Sequence, residues 1–231
     1  MQVVLTKKPK KATIITGFPG FGLIGTIATE FLIDHLKAVQ IGKITVEETP
    51  PIVAIHESKV IEPLGIFYDV KHNIVIVHGL NSIAGLEWKI GEVLYKLAKD
   101  LEAKEVITLE GVNSPSATYE SHEVFYIGND KLQKIGLKQL KEGIIMGIPG
   151  ALLLKKGIPL TCLFAETHAN LPDSRASAKV IEILDEYLGL RVDNKPLLEQ
   201  AKRFEEKVKG FMQQAKDANV EKEKKELNYL G

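Results

Sequence analysis

The hydrophobic pattern along this chain switches between two periods. Short continuous apolar runs, beginning with Ala12-Thr13-Ile14-Ile15-Thr16, predict buried strands over 12–16, 41–46, 106–109 and 160–164. Further short runs at 52–56, 65–69 and 74–77 are divided by the turn residues Glu62-Pro63 and His72-Asn73 and predict strands that run antiparallel. Runs at 123–126 and 143–146 predict two more strands. Three stretches behave differently. Residues 23–36 are apolar nearly all round, and 86–101 and 175–187 carry apolar side chains three or four apart, so all three predict helices. Pro172-Asp173-Ser174 supplies an N-cap for the last. Pro50-Pro51 stops any helix after the second strand, because proline lacks the amide donor and fixes φ. Strands alternating with helices give an α/β fold in three layers, a mainly parallel sheet with helices on both faces.

Beyond residue 193 the pattern changes again. Leu197, Ala201, Phe204, Val208, Phe211, Ala215 and Ala218 follow each other at alternating spacings of four and three. That is an a/d seam, the pattern of helix–helix packing between subunits. A single stripe packed on its own domain is the plainer reading. The chain therefore divides into an α/β core of 1–193, a C-terminal heptad helix of 194–220 and a charged tail of 221–231. The tail ends Leu227-Asn228-Tyr229-Leu230-Gly231, an apolar, aromatic end on a charged tether, which suits a docking peptide.

Charge narrows the partners. Lys+Arg and Asp+Glu each number 30 in 231 residues, so the formal charge is zero. No basic excess points to nucleic acid, and neutrality does not oppose self-association. No apolar run reaches membrane-spanning length and 1–11 holds no signal-like core, so a cytoplasmic protein with no membrane partner is expected. Few glutamines and 26% charged residues suit a thermophile. The single cysteine, Cys162, excludes an internal disulfide and a cysteine-based zinc site.

Candidate chemistry centres on Gly17-Phe18-Pro19-Gly20-Phe21-Gly22-Leu23-Ile24-Gly25, between the first strand and the first helix. Gly20, Gly22 and Gly25 fit G-x-G-x-x-G, and Glu47 or Glu48 falls where a ribose-binding acid belongs. The dinucleotide fold needs a crossover helix after its second strand. Pro50-Pro51 and short strands stand there instead, so no NAD and no other cofactor is expected. The plainer account is a tight strand-to-helix turn with close packing. An anion at the free amides of the turn is a second option. No P-loop lysine follows, since Thr26 succeeds Gly25.

Two polar stretches follow strands and are expected to rim one edge of the sheet. They offer Glu110, Asn113 and Ser114 after the 106–109 strand, and Glu166, His168 and Asp173 after the 160–164 strand. A carboxylate base and a positioned histidine suit a hydrolase, while capping and loop hydrogen bonds are the plainer use. No G-x-S-x-G elbow supports a serine triad. Histidines 35, 56, 72, 78, 122 and 168 form no H-x-x-x-H pair, so no metal site is expected. Trp88, at a helix start, suits packing or an interface better than base stacking.

The 17–25 run with its helix, the block Gly147-Ile148-Pro149-Gly150-Ala151-Leu152-Leu153, the 166–173 loop and Tyr187-Leu188-Gly189-Leu190-Arg191-Val192-Asp193 together resemble the proteasome assembly chaperone family, in its archaeal branch. The resemblance covers about 12–218. It implies a fold similar to purine nucleoside phosphorylases without their chemistry, and no catalytic residues. It also implies homo-oligomers, pentamers or tetramers, and work on the 20S proteasome, through its α subunits, or on another small protein. Leu197, Ala201, Phe204, Val208, Phe211 and Ala215 would then build the oligomer, and Leu227, Tyr229, Leu230 and Gly231 would bind the partner. Docking relatives end in hydrophobic–tyrosine–any residue. Here Tyr229 stands third from the end, so the terminal carboxylate is displaced by one residue, a loss of about 1–3 kcal/mol if its ion pair fails. Two other readings stay open. One is a nucleosidase- or phosphorylase-like enzyme, with an anion at Gly20, Gly22 and Gly25 and polar work by Glu110, Asn113 and Glu166. The other is a scaffold for an unidentified protein.

Overall fold

The computed structural model describes residues 1–49, 53–56, 58–80, 84–113, 122–167 and 172–193, together with 198, 199, 203, 206, 209, 210 and 213. The strands are β1 Gln2–Leu5, β2 Thr13–Gly17, β3 Val39–Thr45, β4 Ala54–His56, β5 Lys59–Ile61, β6 Leu64–Asp69, β7 Ile74–Gly79, β8 Glu105–Asn113, β9 Val124–Ile127, β10 Lys138–Gln139 and β11 Leu160–Thr167. The helices are α1 Ile24–His35, α2 Glu87–Asp100, α3 Lys131–Lys134, α4 Gly147–Leu153 and α5 Ser174–Leu188. Nine strands form one sheet in the order β1-β3-β6-β7-β2-β8-β11-β9-β10, and β4–β5 is a separate hairpin.

The α/β class with helices on both faces holds. Parallel pairing holds the centre, β7-β2-β8-β11, and the short edge pair β9–β10. The flanking pairs β1–β3, β3–β6, β6–β7 and β11–β9 run antiparallel, as expected for the stretch before β7. The central strands read as continuous apolar runs because both faces are covered. Alternate residues of β2 show this. Ile15 packs in the core under α1 and α5, and Ile14 packs in the core under α2. α1 is apolar nearly all round because it is sandwiched, with β2, β7 and β8 on one side and α5 on the other. α2 is amphipathic and buries Ile90, Leu94 and Leu97 against the opposite face, where it packs on α4.

Four expectations need correction. The 143–146 run is not a strand. Ile144 is 91% exposed, and the segment leads into α4, whose Pro149 sits in the first turn where no amide partner is needed. Glu110 to Asn113 are not a loop, because β8 continues beside β11 as far as Asn113↔Thr167. Glu166 is likewise still in strand. The half-exposed edge strand β1 lies in a segment that carried no strand signal. Pro50 and Pro51 lie outside the described residues.

Among the described residues no helix is long and apolar enough to cross a membrane. Beyond residue 193, the described positions Leu198, Glu199, Arg203, Glu206, Lys209, Gly210 and Gln213 are helical and exposed. The seam residues Leu197, Ala201, Phe204, Val208, Phe211, Ala215 and Ala218 and the tail residues Leu227, Tyr229, Leu230 and Gly231 lie outside the described residues.

Candidate functional site: a cleft over the glycine turn

The turn after β2 is built by contact. A Cβ at Gly17 would stand 2.0 Å from the Gly25 carbonyl oxygen, and one at Gly25 would stand 2.6 Å from that of Leu109. These two glycines let α1 start directly against β2 and β8. Gly22 takes φ +65°, and Leu23 follows at φ +51°, so the chain makes a left-handed double step before α1. Asp173 fastens this turn to α5. Its amide donates to the Gly22 carbonyl at 2.8 Å, its Oδ1 caps α5 by accepting from the Ala176 amide at 3.0 Å, and Thr167 Oγ1 donates to its Oδ2 at 2.8 Å. Asp173 is thus a cap. His122 stands beside it, donating from Nδ1 to the Glu166 carbonyl at 3.1 Å.

The contact that defines the site is at Gly20. A Cβ there would stand 1.9 Å from Glu110 Oε1. The Glu110 carboxyl therefore lies on the turn itself. It accepts from the Gly111 amide at 3.0 Å, and from the Phe21 amide. A phosphate on this turn would compete with the protein's own carboxylate for the Phe21 amide. Burial pushes the Glu110 carboxyl up to about 7, against the two amides, which favour the charged form.

A cleft of about 1410 Å³ opens above this carboxyl. Strand register explains its lining. Glu110 pairs with Phe164, and Phe164 with Phe125, so the three side chains sit in a row across β8, β11 and β9 on the α2 and α4 side. Glu166 lies two residues farther along, beside Val112. Phe18 and Phe21 close one side, Glu87 at the start of α2 adds a carboxylate, and the 143–148 segment forms the far wall. Asn113 lines the outer end. The structure thus brings together Gly20, Glu110, Asn113 and Glu166. Gly22 and Gly25 lie behind them, packed on Thr167 and Leu109. Ser114 and His168 lie outside the described residues.

The dinucleotide reading fails on topology. The neighbours of β2 are β7 and β8, whereas β3, which precedes Glu47 and Glu48, lies three strands away between β1 and β6. Glu48 instead pairs with Lys89 at 3.0 Å. Among the described residues no cluster of His, Cys, Asp or Glu is arranged to hold a metal. Cys162 is buried, and burial pushes its thiol up to about 12, far from a reactive thiolate.

Two features escaped the sequence pattern. Ile144 and Met146 are exposed large apolar side chains lining the cleft, at 91% and 66%. Behind the turn, His78 is buried on β7, with Nδ1 2.8 Å from Thr29 Oγ1 and Nε2 3.1 Å from Glu30 Oε2 on α1. No local spacing predicts either, because each joins elements far apart in the chain.

Known proteins share this architecture. PbaA of Pyrococcus furiosus, described as an archaeal homologue of proteasome-assembly chaperone, superposes with a TM-score of 0.82 and is 32% identical, covering 94% of this chain and 99% of its own. PbaB of Pyrococcus furiosus, described as an archaeal proteasome activator, superposes with a TM-score of 0.71 over 91% of this chain and 98% of its own. At 23% identity that likeness is one of fold. MJ0106 of Methanocaldococcus jannaschii is 28% identical over 211 residues, covering 87% of this chain and 85% of its own. The sequence model of the PAC2 family matches residues 14–212, from the strand before the glycine turn into the heptad segment, and the chain belongs to that family.

Proposed function

We propose that this chain is a cytoplasmic homo-oligomeric interaction protein that acts as an assembly chaperone or activator of the 20S proteasome. The observation that carries the reading is the likeness to PbaA over nearly the whole of both chains. Two features of this chain support it. The seam at Leu197, Ala201, Phe204, Val208, Phe211 and Ala215 has the spacing of an intersubunit helix. The tail at Leu227, Tyr229, Leu230 and Gly231 presents an apolar, aromatic end on a charged tether. In this reading the helices assemble a pentamer or tetramer, and the tails of several subunits engage α subunits together, so weak single contacts add through avidity.

Light scattering on the full chain tests the assembly. A discrete oligomer is expected, and Phe204→Asp with Phe211→Asp should reduce it to monomer; a monomeric unsubstituted chain overturns the reading. Pull-down of archaeal 20S proteasome tests the partner. Binding is expected, weakened at least tenfold by Tyr229→Ala. Equal binding by both removes the tail from the mechanism, and no binding by either points to the scaffold reading, with a different protein as partner.

A further inference from the structure

We propose that the cleft over the glycine turn binds a small organic cation, an ammonium or guanidinium group on an apolar stem, with Glu110 receiving the charged head. The inference goes beyond the assembly reading and does not depend on it.

The Glu110 carboxyl is positioned before any ligand arrives. The Gly111 amide at 3.0 Å and the Phe21 amide hold it, and Gly20 leaves it room that a Cβ would remove. A preset acceptor loses little freedom on binding. The charges around it favour a cation. Glu87 from α2, Glu166 from β11 and Glu142 from the far wall line the same cleft, against Lys138 and Lys141. Lys138 is already engaged, with its Nζ 2.8 Å from Glu123 Oε1. The chain as a whole is neutral, so this acidic surplus is local. The walls suit the rest of such a ligand. Phe164 stands beside the carboxyl and Phe125 beyond it in the same row, and aromatic faces attract cations as well as covering an apolar stem. An anionic ligand meets the opposite conditions, because the Phe21 amide already serves Glu110.

Binding is coupled to a proton. In the empty cleft burial pushes Glu110 up to about 7. Below that value the carboxyl is mostly neutral, and an arriving cation drives its proton out to the buffer. Above it the carboxylate is ready. For a group titrating near 7 the binding-competent fraction rises about tenfold between pH 6 and pH 8.

Isothermal titration calorimetry on the full chain, with agmatine as the probe, tests this at pH 6 and pH 8. Two buffers of different ionisation enthalpy are used at each pH. Affinity is expected to rise about tenfold with pH, with proton release at pH 6 read from the buffer dependence. Glu110→Gln should weaken binding at least tenfold and flatten the pH profile, whereas Glu166→Gln should weaken it and keep the profile. The unsubstituted protein already decides the matter if Glu110→Gln fails to fold. No agmatine binding, or binding without pH dependence or proton release, overturns the proposal. So does tighter binding of inorganic phosphate or NAD than of agmatine. Binding of a blocked arginine peptide without agmatine binding overturns the small-molecule assignment.

Discussion

Strand β8 carries a glutamate at each end of its buried stretch, and the protein treats them differently. Glu105, at the amino end, is 7% exposed and faces α5. Tyr187 Oη donates to its Oε2 at 2.8 Å, Asn129 Nδ2 donates to its Oε1 at 3.2 Å, and Thr161 Oγ1 donates to the same Oε1. Asn129 Nδ2 also reaches Tyr187 Oη at 2.7 Å, which closes the network. Glu110 points to the other face and has backbone amides for partners beneath an open cleft. One carboxylate is sealed by side chains from β11, α5 and the turn before α3, and joins β8 to β11 and α5. The other is held in place and left facing space. In an open α/β sheet ligands approach the carboxyl ends of the strands, and the two glutamates follow that division.

The largest effect is expected at the sealed end. Glu105→Ala leaves the buried donor of Thr161 and the half-buried donors of Tyr187 and Asn129 without their acceptor. At about 1–3 kcal/mol for each unsatisfied group the fold should lose about 3 kcal/mol or more, and Tm should fall by roughly 6–12 °C in a thermal melt. Agmatine binding at the far end of the strand should be unchanged in the protein that remains folded. A cost below about 1 kcal/mol would show that the network is dispensable and would remove the contrast.

Next comes the contact beneath the open end. Gly20 has φ −145° and ψ −159°, extended backbone that any residue adopts, so a substitution there is penalised by contact alone. The nearest atoms to a Cβ all belong to the Glu110 carboxyl. Gly20→Ala should therefore cost about 1–3 kcal/mol in the natural background, and close to nothing when Glu110→Ala is also present. Denaturant melts of the four proteins in that cycle measure the coupling. Additive costs would mean that the turn tolerates a side chain without reference to Glu110.

How much of this was readable from the chain depends on distance. β2, β7, β8 and β11 announced themselves because strands buried on both faces read as unbroken apolar runs. Edge strands β1 and β10 did not, being half or fully exposed. Ile144-Ile145-Met146 read as a buried strand because composition reports apolarity and not which side of a wall it faces. Gly20 and Glu110 were each legible as candidates, but their contact was not. It depends on how the turn after β2 lies across β8, a register that 89 intervening residues set. The Glu105 network was invisible for the same reason, with its members spread from 105 to 187. The α/β class followed from local patterns, whereas the site followed from long-range pairing.

Glu110→Gln sharpens the contrast through pH. The folded value near 7 lies above the usual carboxylate value of 4.5, so the unfolded chain gives up this proton more readily than the folded one. The contribution of Glu110 to stability should therefore fall as pH rises from about 4.5 to about 7, then level off. Glutamine keeps an oxygen for the two amides and does not titrate. The variant should match wild type near pH 4 and exceed it by about 1–3 kcal/mol at pH 8, read from melts across that range. A variant less stable than wild type at pH 8 would mean that the amides, not burial, control the site.

Tyr187→Phe gives the smallest effect and the cleanest sign at the sealed end. Removing the hydroxyl deletes one of three donors to Glu105 while keeping the ring packed, so a cost of about 1–1.5 kcal/mol is expected at pH 8. Burial, with the Glu105 hydrogen bond and charge beside it, pushes the Tyr187 hydroxyl above its ordinary value of 10.0. The folded protein thus keeps this proton after the unfolded chain has begun to release it. Above pH 10 the unfolded state gains from that ionisation, and wild-type stability falls by a contribution that phenylalanine lacks. Lysines titrate in the same range but do so in both proteins, so they cancel in the difference. The gap between wild type and Tyr187→Phe should therefore narrow as pH climbs from 8 to 11 in paired denaturant melts. A gap that stays constant or widens would mean that the hydroxyl ionises as easily in the fold as outside it, which a sealed Glu105 network does not allow.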